Sequence, residues 1–185
     1  MRIVAGSARG RRILAPDGMT TRPITDRAKE GIFNMLLSIT GIEAGMNGMV
    51  VHDLFAGSGS FGLECLSRGA ANVTFVERNR QAANVIQKNL DTFGFADRAT
   101  VLMTTVEAII STLGHADVVF CDPPYPDDPW TALLQSVDAD LLVGHAERPV
   151  QLSDGWTEVK RRKYGRSQIV IAERADAAKR PGTDL

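Results

Sequence analysis

From Met49 onward, short apolar runs alternate with stretches of helical period, and a glycine-rich turn at Gly57-Ser58-Gly59 joins the first run to the first helix. Few folds admit that alternation. Parallel strands need a crossover, the crossover is ordinarily a helix, and the pattern therefore predicts an α/β fold with a parallel sheet and helices on both faces. Val50 to Phe55, Asn72 to Glu77, Thr100 to Met103 and Ala116 to Cys121 read as four strands. Ser60 to Arg68, Arg80 to Phe93, Val106 to Leu113 and Asp127 to Val137 read as helices, the last helped by Pro129 in its first turn. Farther on, Leu141-Leu142-Val143 reads as a short fifth strand. Trp156 to Val159 and Gln168 to Ala172 read as a closing hairpin whose turn holds Tyr164-Gly165.

The residues ahead of this region follow another pattern. Arg2, Arg9, Arg11 and Arg12 stand among Ile3, Val4, Ile13 and Leu14, around Gly6 and Gly10, until Pro16-Asp17-Gly18 breaks the run. That predicts a short basic hairpin. Thr25 or Asp26 then caps a helix from about 26 to 38 with Ile32, Phe33, Leu36 and Leu37 on one face. The expected division is a hairpin-and-helix extension over 1–40, the α/β domain over 41–175 and a frayed tail over 176–185.

A chain of 185 residues with 44% hydrophobic content suits one domain plus such an extension. No apolar run approaches the roughly 20 residues that span a bilayer, and no signal-like region follows Met1, so a cytoplasmic protein away from membranes is expected. Cys65 and Cys121 both fall in buried patterns and read as free core thiols; neither spacing suggests a metal site. No uncovered apolar stripe demands a partner, so a monomer is expected. Charge is segregated along the chain. Residues 1–30 carry seven Lys/Arg against three Asp/Glu, 31–155 carry six against fifteen, and 156–185 carry eight against four. Basic ends on an acidic body suit a polyanion that touches the terminal segments, and they equally suit two solvated charged ends.

Two constellations carry chemistry. In Asp53-Leu54-Phe55-Ala56-Gly57-Ser58-Gly59-Ser60-Phe61-Gly62, glycines let the backbone turn tightly and approach a ligand between a strand and a helix N-terminus. The stretch satisfies G-x-G-x-x-G, and Glu77 follows Gly57 by twenty positions, where an acid accepts hydrogen bonds from ribose hydroxyls. On that evidence a nicotinamide-dependent oxidoreductase stays open. The second constellation is Asp122-Pro123-Pro124-Tyr125, after the apolar run Val118 to Cys121. The exocyclic amine of a base is a poor nucleophile, because its lone pair is delocalised into the ring. The Asp122 carboxylate and a proline-fixed backbone carbonyl can hold such an amine with its lone pair turned toward a methyl donor, while Tyr125 stacks on a base flipped out or presented in a loop. His52, His115 and His145 have no partners at a fixed spacing, Trp130 and Trp156 read as packing residues, and Glu64 reads as a solvated acid.

Together these residues resemble the bacterial small-subunit ribosomal RNA guanine-N2 methyltransferases of the RsmD type. The resemblance covers most of the chain: Arg2 to Gly6 with Arg9-Gly10-Arg11, Arg22-Pro23-Ile24-Thr25-Asp26-Arg27 with Lys29-Glu30, Asp53 through Glu64 with Ser67-Arg68, Asp122 to Tyr125, and Tyr164-Gly165. The Arg-Pro-x-Thr-Asp-Arg block is its specific part. The resemblance implies a Rossmann-like class I methyltransferase sheet and S-adenosylmethionine as cofactor. Asp53 with Phe55, Ala56, Gly57, Ser58 and Gly59 would cradle its methionine part, Glu77 followed by Arg78 would bind the ribose, and Asp122 would border the cofactor. Thr104-Thr105 stand where many relatives carry an acid after the third strand, so Thr105 would meet the adenine through its hydroxyl. Asp122, Pro123 and Tyr125 would hold the guanine. Arg9, Arg11, Arg12, Arg22, Arg27 and Lys160-Arg161-Arg162-Lys163 would grip phosphates of 16S rRNA, within a small-subunit particle, with no metal involved. The segment Leu141 to Asp154 departs from the family's fifth strand. A DNA or RNA adenine-N6 or cytosine-N4 methyltransferase, or an RNA-binding assembly factor without turnover, are the alternatives that the motifs leave open.

Overall fold

A computed structural model describes residues 1–16, 24–41, 45–124 and 129–175. Its centre is one sheet of seven strands in the order β3-β2-β1-β4-β5-β7-β6. The strands are β1 (Val50–Leu54), β2 (Asn72–Val76), β3 (Ala99–Leu102), β4 (Ala116–Cys121), β5 (Ala139–Ala146), β6 (Trp156–Tyr164) and β7 (Ser167–Arg174). The first five run parallel, while β7 lies antiparallel between β5 and β6. The chain builds outward from β1 through β2 to β3 and then crosses back to start β4 on the other side of β1. That reversal opens a crevice beyond the carboxyl ends of β1 and β4, where open α/β sheets bind ligands.

The helices are α1 (Asp26–Thr40), α2 (Ser60–Ser67), α3 (Arg80–Phe93), α4 (Val106–Ile109) and α5 (Trp130–Ser136). Thr25 caps α1 by accepting the Ala28 amide at 3.2 Å, and Gly41 ends it in the left-handed region at φ 67°. The other helix ends also follow local chemistry. Asn79 accepts from the Gln81 and Ala82 amides at the start of α3, and Gly94 closes that helix at φ 74°.

One core cluster covers the sheet face that carries Val51, Phe75, Phe120 and Ile171, and it includes Ile3, Ala8 and Ile13 of the N-terminal segment with Ile32 and Phe33 of α1. The N-terminal segment is thus packed on the sheet, and its hairpin closes through the antiparallel bridge Arg2–Arg12, with Ile3 donating to the Arg11 carbonyl at 2.9 Å and Ile13 to the Met1 carbonyl at 3.2 Å. Phe61 of α2 stacks on Phe120 of β4 with centroids 4.1 Å apart, and Phe33 stacks on the other side of Phe61 at 5.2 Å. The opposite face buries Leu54, Val119, Trp130, Leu142 and Trp156. Cys65 and Cys121 are free and buried, as expected.

Several expectations need correction. The helix expected over Val106 to Leu113 is shorter, α4 passing into a 3-10 turn over Ile110–Thr112. The fifth strand is eight residues long, not three, and it pairs with β4 in regular parallel register. Its length was hidden because a strand buried on both faces shows no alternation, and Gly144 and His145 interrupt its apolar run. Glu64 is fully buried rather than solvated. The turn at Asp17-Gly18, the start of the fifth helix at Asp127 and the tail over 176–185 lie outside the described residues.

Candidate active site

Asp53 sits one residue before the end of β1, with 1% of its surface exposed, and its carboxylate accepts the Gly62 amide of α2 at 2.9 Å. Burial pushes this carboxyl well above the usual carboxylate range. The Gly62 hydrogen bond opposes the rise, and the charges of Asp122 and Glu77 add to it. Asp53 is therefore an acid in need of a cation.

The chain leaves β1 through Phe55, whose φ of 61° places a bulky side chain in the left-handed region. The loop is then fixed by hydrogen bonds from Ala56 to the Val76 carbonyl at 3.0 Å and from Gly59 to the Ala56 carbonyl at 2.7 Å. Gly57 donates its amide to Glu77 at 2.8 Å, and Asn79 donates to the other Glu77 oxygen at 2.7 Å. Glu77 is thereby held at the mouth of β2 with one bond to each oxygen, leaving lone pairs on both for further donors. The three glycines have separate reasons. Gly57 and Gly59 adopt φ of 56° and 73°, whereas a Cβ on Gly62 would stand 2.3 Å from the Phe75 ring, so the last glycine is there for helix-to-strand packing.

Asp122 follows the last residue of β4, with 27% of its side chain exposed, and leads into the buried Pro123. The parallel register sets Cys121 opposite Gly144, which brings the next residue of β5, His145, alongside Asp122. His145 Nδ1 lies 2.8 Å from Asp122 Oδ1. The reading that gave the histidines no partners is thus overturned twice, because His115 also lies 3.3 Å from both Asp138 and Asp140. Strand register alone reveals these pairs, and sequence spacing does not encode it.

The structure brings together Asp53, Phe55 to Gly59, Glu77 and Asp122 around one crevice. Arg78 is exposed beyond Glu77, and Thr105 is exposed at the start of α4. Tyr125 and Arg22 lie outside the described residues. Arg9, Arg11, Arg12 and Arg27 are exposed, but Arg11 is committed to α3: its guanidinium donates to the Thr92 carbonyl at 2.5 Å and lies 4.7 Å from the Phe93 ring centre. Lys160, Arg162 and Lys163 are exposed along β6, while Arg161 is drawn back onto Glu158 at 2.7 Å and the Val150 carbonyl at 3.1 Å. A groove lined by Gly6, Ser67, Arg68 and Arg98 holds none of these catalytic candidates.

Residues 1–173 match the model of a family described as conserved hypothetical protein 95. The chain is 32% identical over 185 residues to YlbH of Bacillus subtilis, covering 92% of this chain and 97% of that protein. It is 38% identical over 126 residues to ribosomal RNA small subunit methyltransferase D of Escherichia coli K12, covering 68% of this chain and 60% of that protein. Among solved structures, yhhF from Escherichia coli superposes with a TM-score of 0.80 at 30% identity, covering 94% of this chain and 97% of that one.

Proposed function

The chain belongs to the family described as conserved hypothetical protein 95, the RsmD-type methyltransferases, and on that premise we propose that it methylates the exocyclic N2 of a guanine in small-subunit ribosomal RNA. The observation that carries this reading is the convergence of Asp53, Glu77 and Asp122 at the carboxyl ends of β1, β2 and β4, with Asp122 followed by Pro123-Pro124.

The cofactor is S-adenosylmethionine, which supplies an electrophilic methyl group on a cationic sulfur. The residues present fit it. Asp53, desolvated and short of a counter-charge, favours a ligand with a cationic amine. Glu77 keeps acceptor capacity for a ribose diol, and the Gly57-Ser58-Gly59 turn offers backbone without bulk. Arg78 follows Glu77 on the cofactor side, and Thr105 would meet the adenine through its hydroxyl.

On the substrate side, the Asp122 carboxylate and the Pro123 backbone carbonyl accept the two N–H bonds of the amine. That geometry turns the lone pair out of conjugation and toward the methyl, and orienting it is the residues' main contribution. Tyr125 stacks on the extruded base, and the amine's surplus proton leaves toward Asp122 or water. Arg27, Lys160, Arg162 and Lys163, with Arg9, Arg12 and Arg22, contact phosphates, so that residues 1–40 act as an RNA-binding extension of the domain over 41–175. The protein acts as a monomer on 16S rRNA within a small-subunit particle.

The reading is tested with Asp122→Ala. Transfer of label to unmodified particles is expected to fall at least about a hundredfold, while calorimetry still finds the cofactor bound. Unchanged transfer by a folded Asp122→Ala protein would defeat the mechanism.

A further inference from the structure

We propose that His145 is a positioning residue for the reaction, holding the Asp122 carboxylate in the one orientation that receives the substrate amine. The inference rests on the methyltransferase reading above and adds a residue to it. Nδ1 of His145 lies 2.8 Å from Oδ1 of Asp122, a short contact of the kind made by charge-assisted hydrogen bonds. An ionised carboxylate only accepts, so the imidazole presents Nδ1–H, which commits Oδ1 and leaves Oδ2 for the substrate.

The two residues differ in how firmly the fold holds them. Asp122 lies one residue past the end of β4, and rotation about the bond to its carboxylate has only broad preferences. Left alone, it would sample orientations that point neither oxygen at the amine. His145 lies inside β5, whose neighbours pair on both sides: Gly144 stands opposite Cys121 of β4, and His145 opposite Ile169 of β7. Its side chain is 6% exposed. Gly144 strengthens the hold, because a Cβ there would come within 3.0 Å of both Trp130 and Val170, so the strand is packed tightly at this point. A ring fixed by the sheet thus ties down a carboxylate that the sheet does not hold.

A merely structural role, a buried histidine satisfied by a nearby acid, predicts something different, and a matched pair of substitutions separates the two. His145→Asn keeps an N–H donor where Nδ1 stands. His145→Leu keeps bulk and loses the donor. Single-turnover methyl transfer to unmodified small-subunit particles is measured for both, beside S-adenosylmethionine affinity by calorimetry and Tm. The expected result is a fall of about 10- to 100-fold in the transfer rate for His145→Leu, with cofactor affinity within about twofold of wild type and His145→Asn within about fivefold of the wild-type rate. Wild-type rate in His145→Leu would overturn the proposal. So would an equal fall in both variants that tracks their loss of Tm. A wild-type protein that binds the cofactor and transfers no label would instead overturn the methyltransferase reading beneath it.

Discussion

Lys29 and Glu64 form an ion pair of 3.2 Å in which neither side chain reaches solvent. Burying two charges is costly unless their remaining hydrogen-bonding capacity is filled, and here it is. Glu64 also accepts the Val4 amide at 2.8 Å, the Ala5 amide at 2.9 Å and Arg68 Nε at 2.9 Å, while Lys29 donates to the Arg2 carbonyl at 2.7 Å and to Ser60 at 3.3 Å. One carboxylate on α2 therefore joins the N-terminal segment and α1 to the helix that follows the glycine loop.

Glu64→Ala leaves Lys29 as a buried charge without its counter-ion and frees two backbone amides, so a loss of about 3–5 kcal/mol is expected. Urea unfolding measures it. Hydrogen exchange at Val4 and Ala5 should accelerate more than exchange in β4, because the clamp, rather than the sheet, is what has been cut.

Asp53 gives a pH-dependent expectation with a definite sign. Its folded-state carboxyl titrates well above the usual range, so over that window the native state holds a proton the unfolded chain has released, and stability falls as pH rises through it. Asp53→Asn removes that loss. It should raise the Tm of the ligand-free protein at neutral pH, by about 2–4 °C for each kcal/mol recovered in a chain of this size, and flatten the fall of Tm with rising pH. The same substitution should weaken S-adenosylmethionine binding by about tenfold or more, read by calorimetry, since a cationic amine loses its counter-charge. A variant that gains stability and keeps full affinity would remove Asp53 from the cofactor site.

The Rossmann-like alternation was legible because strand and helix periods differ, and the strand and helix bounds from β1 to β4 fell within a residue or two except at α4. Asp53, the glycine loop, Glu77 and Asp122 were legible because each sits at a strand end, where a motif names a place in the fold. What stayed hidden depends on packing between distant segments. His145 meets Asp122 through the register of β4 with β5, and Glu64 reads as one more helix acid until Lys29 and the Val4 and Ala5 amides close over it. Arg161 illustrates the same limit inside a charge run: four consecutive cations look equivalent, yet the bulge between Glu158 and Lys160 sets Glu158 on the side of Arg161, which turns back onto it and onto the Val150 carbonyl.

That difference predicts how the basic stretch on β6 divides. Lys160→Ala, Arg162→Ala and Lys163→Ala should each weaken binding to small-subunit ribosomal RNA across sequences and reduce the slope of log affinity against log salt by roughly 0.7–0.9 for each phosphate no longer neutralised. Arg161→Ala should leave that slope nearly unchanged and lower Tm instead. Filter binding over a salt series with a Tm scan separates the two groups, and equal slopes in all four variants would contradict the assignment.

The most direct measurement is transfer of a labelled methyl from S-adenosylmethionine to small-subunit particles that lack the modification, followed by digestion and identification of the labelled nucleoside. Label in N2-methylguanosine of 16S rRNA is the expected result. Label in N6-methyladenosine or N4-methylcytidine, or a protein that binds the cofactor and transfers nothing, would contradict it.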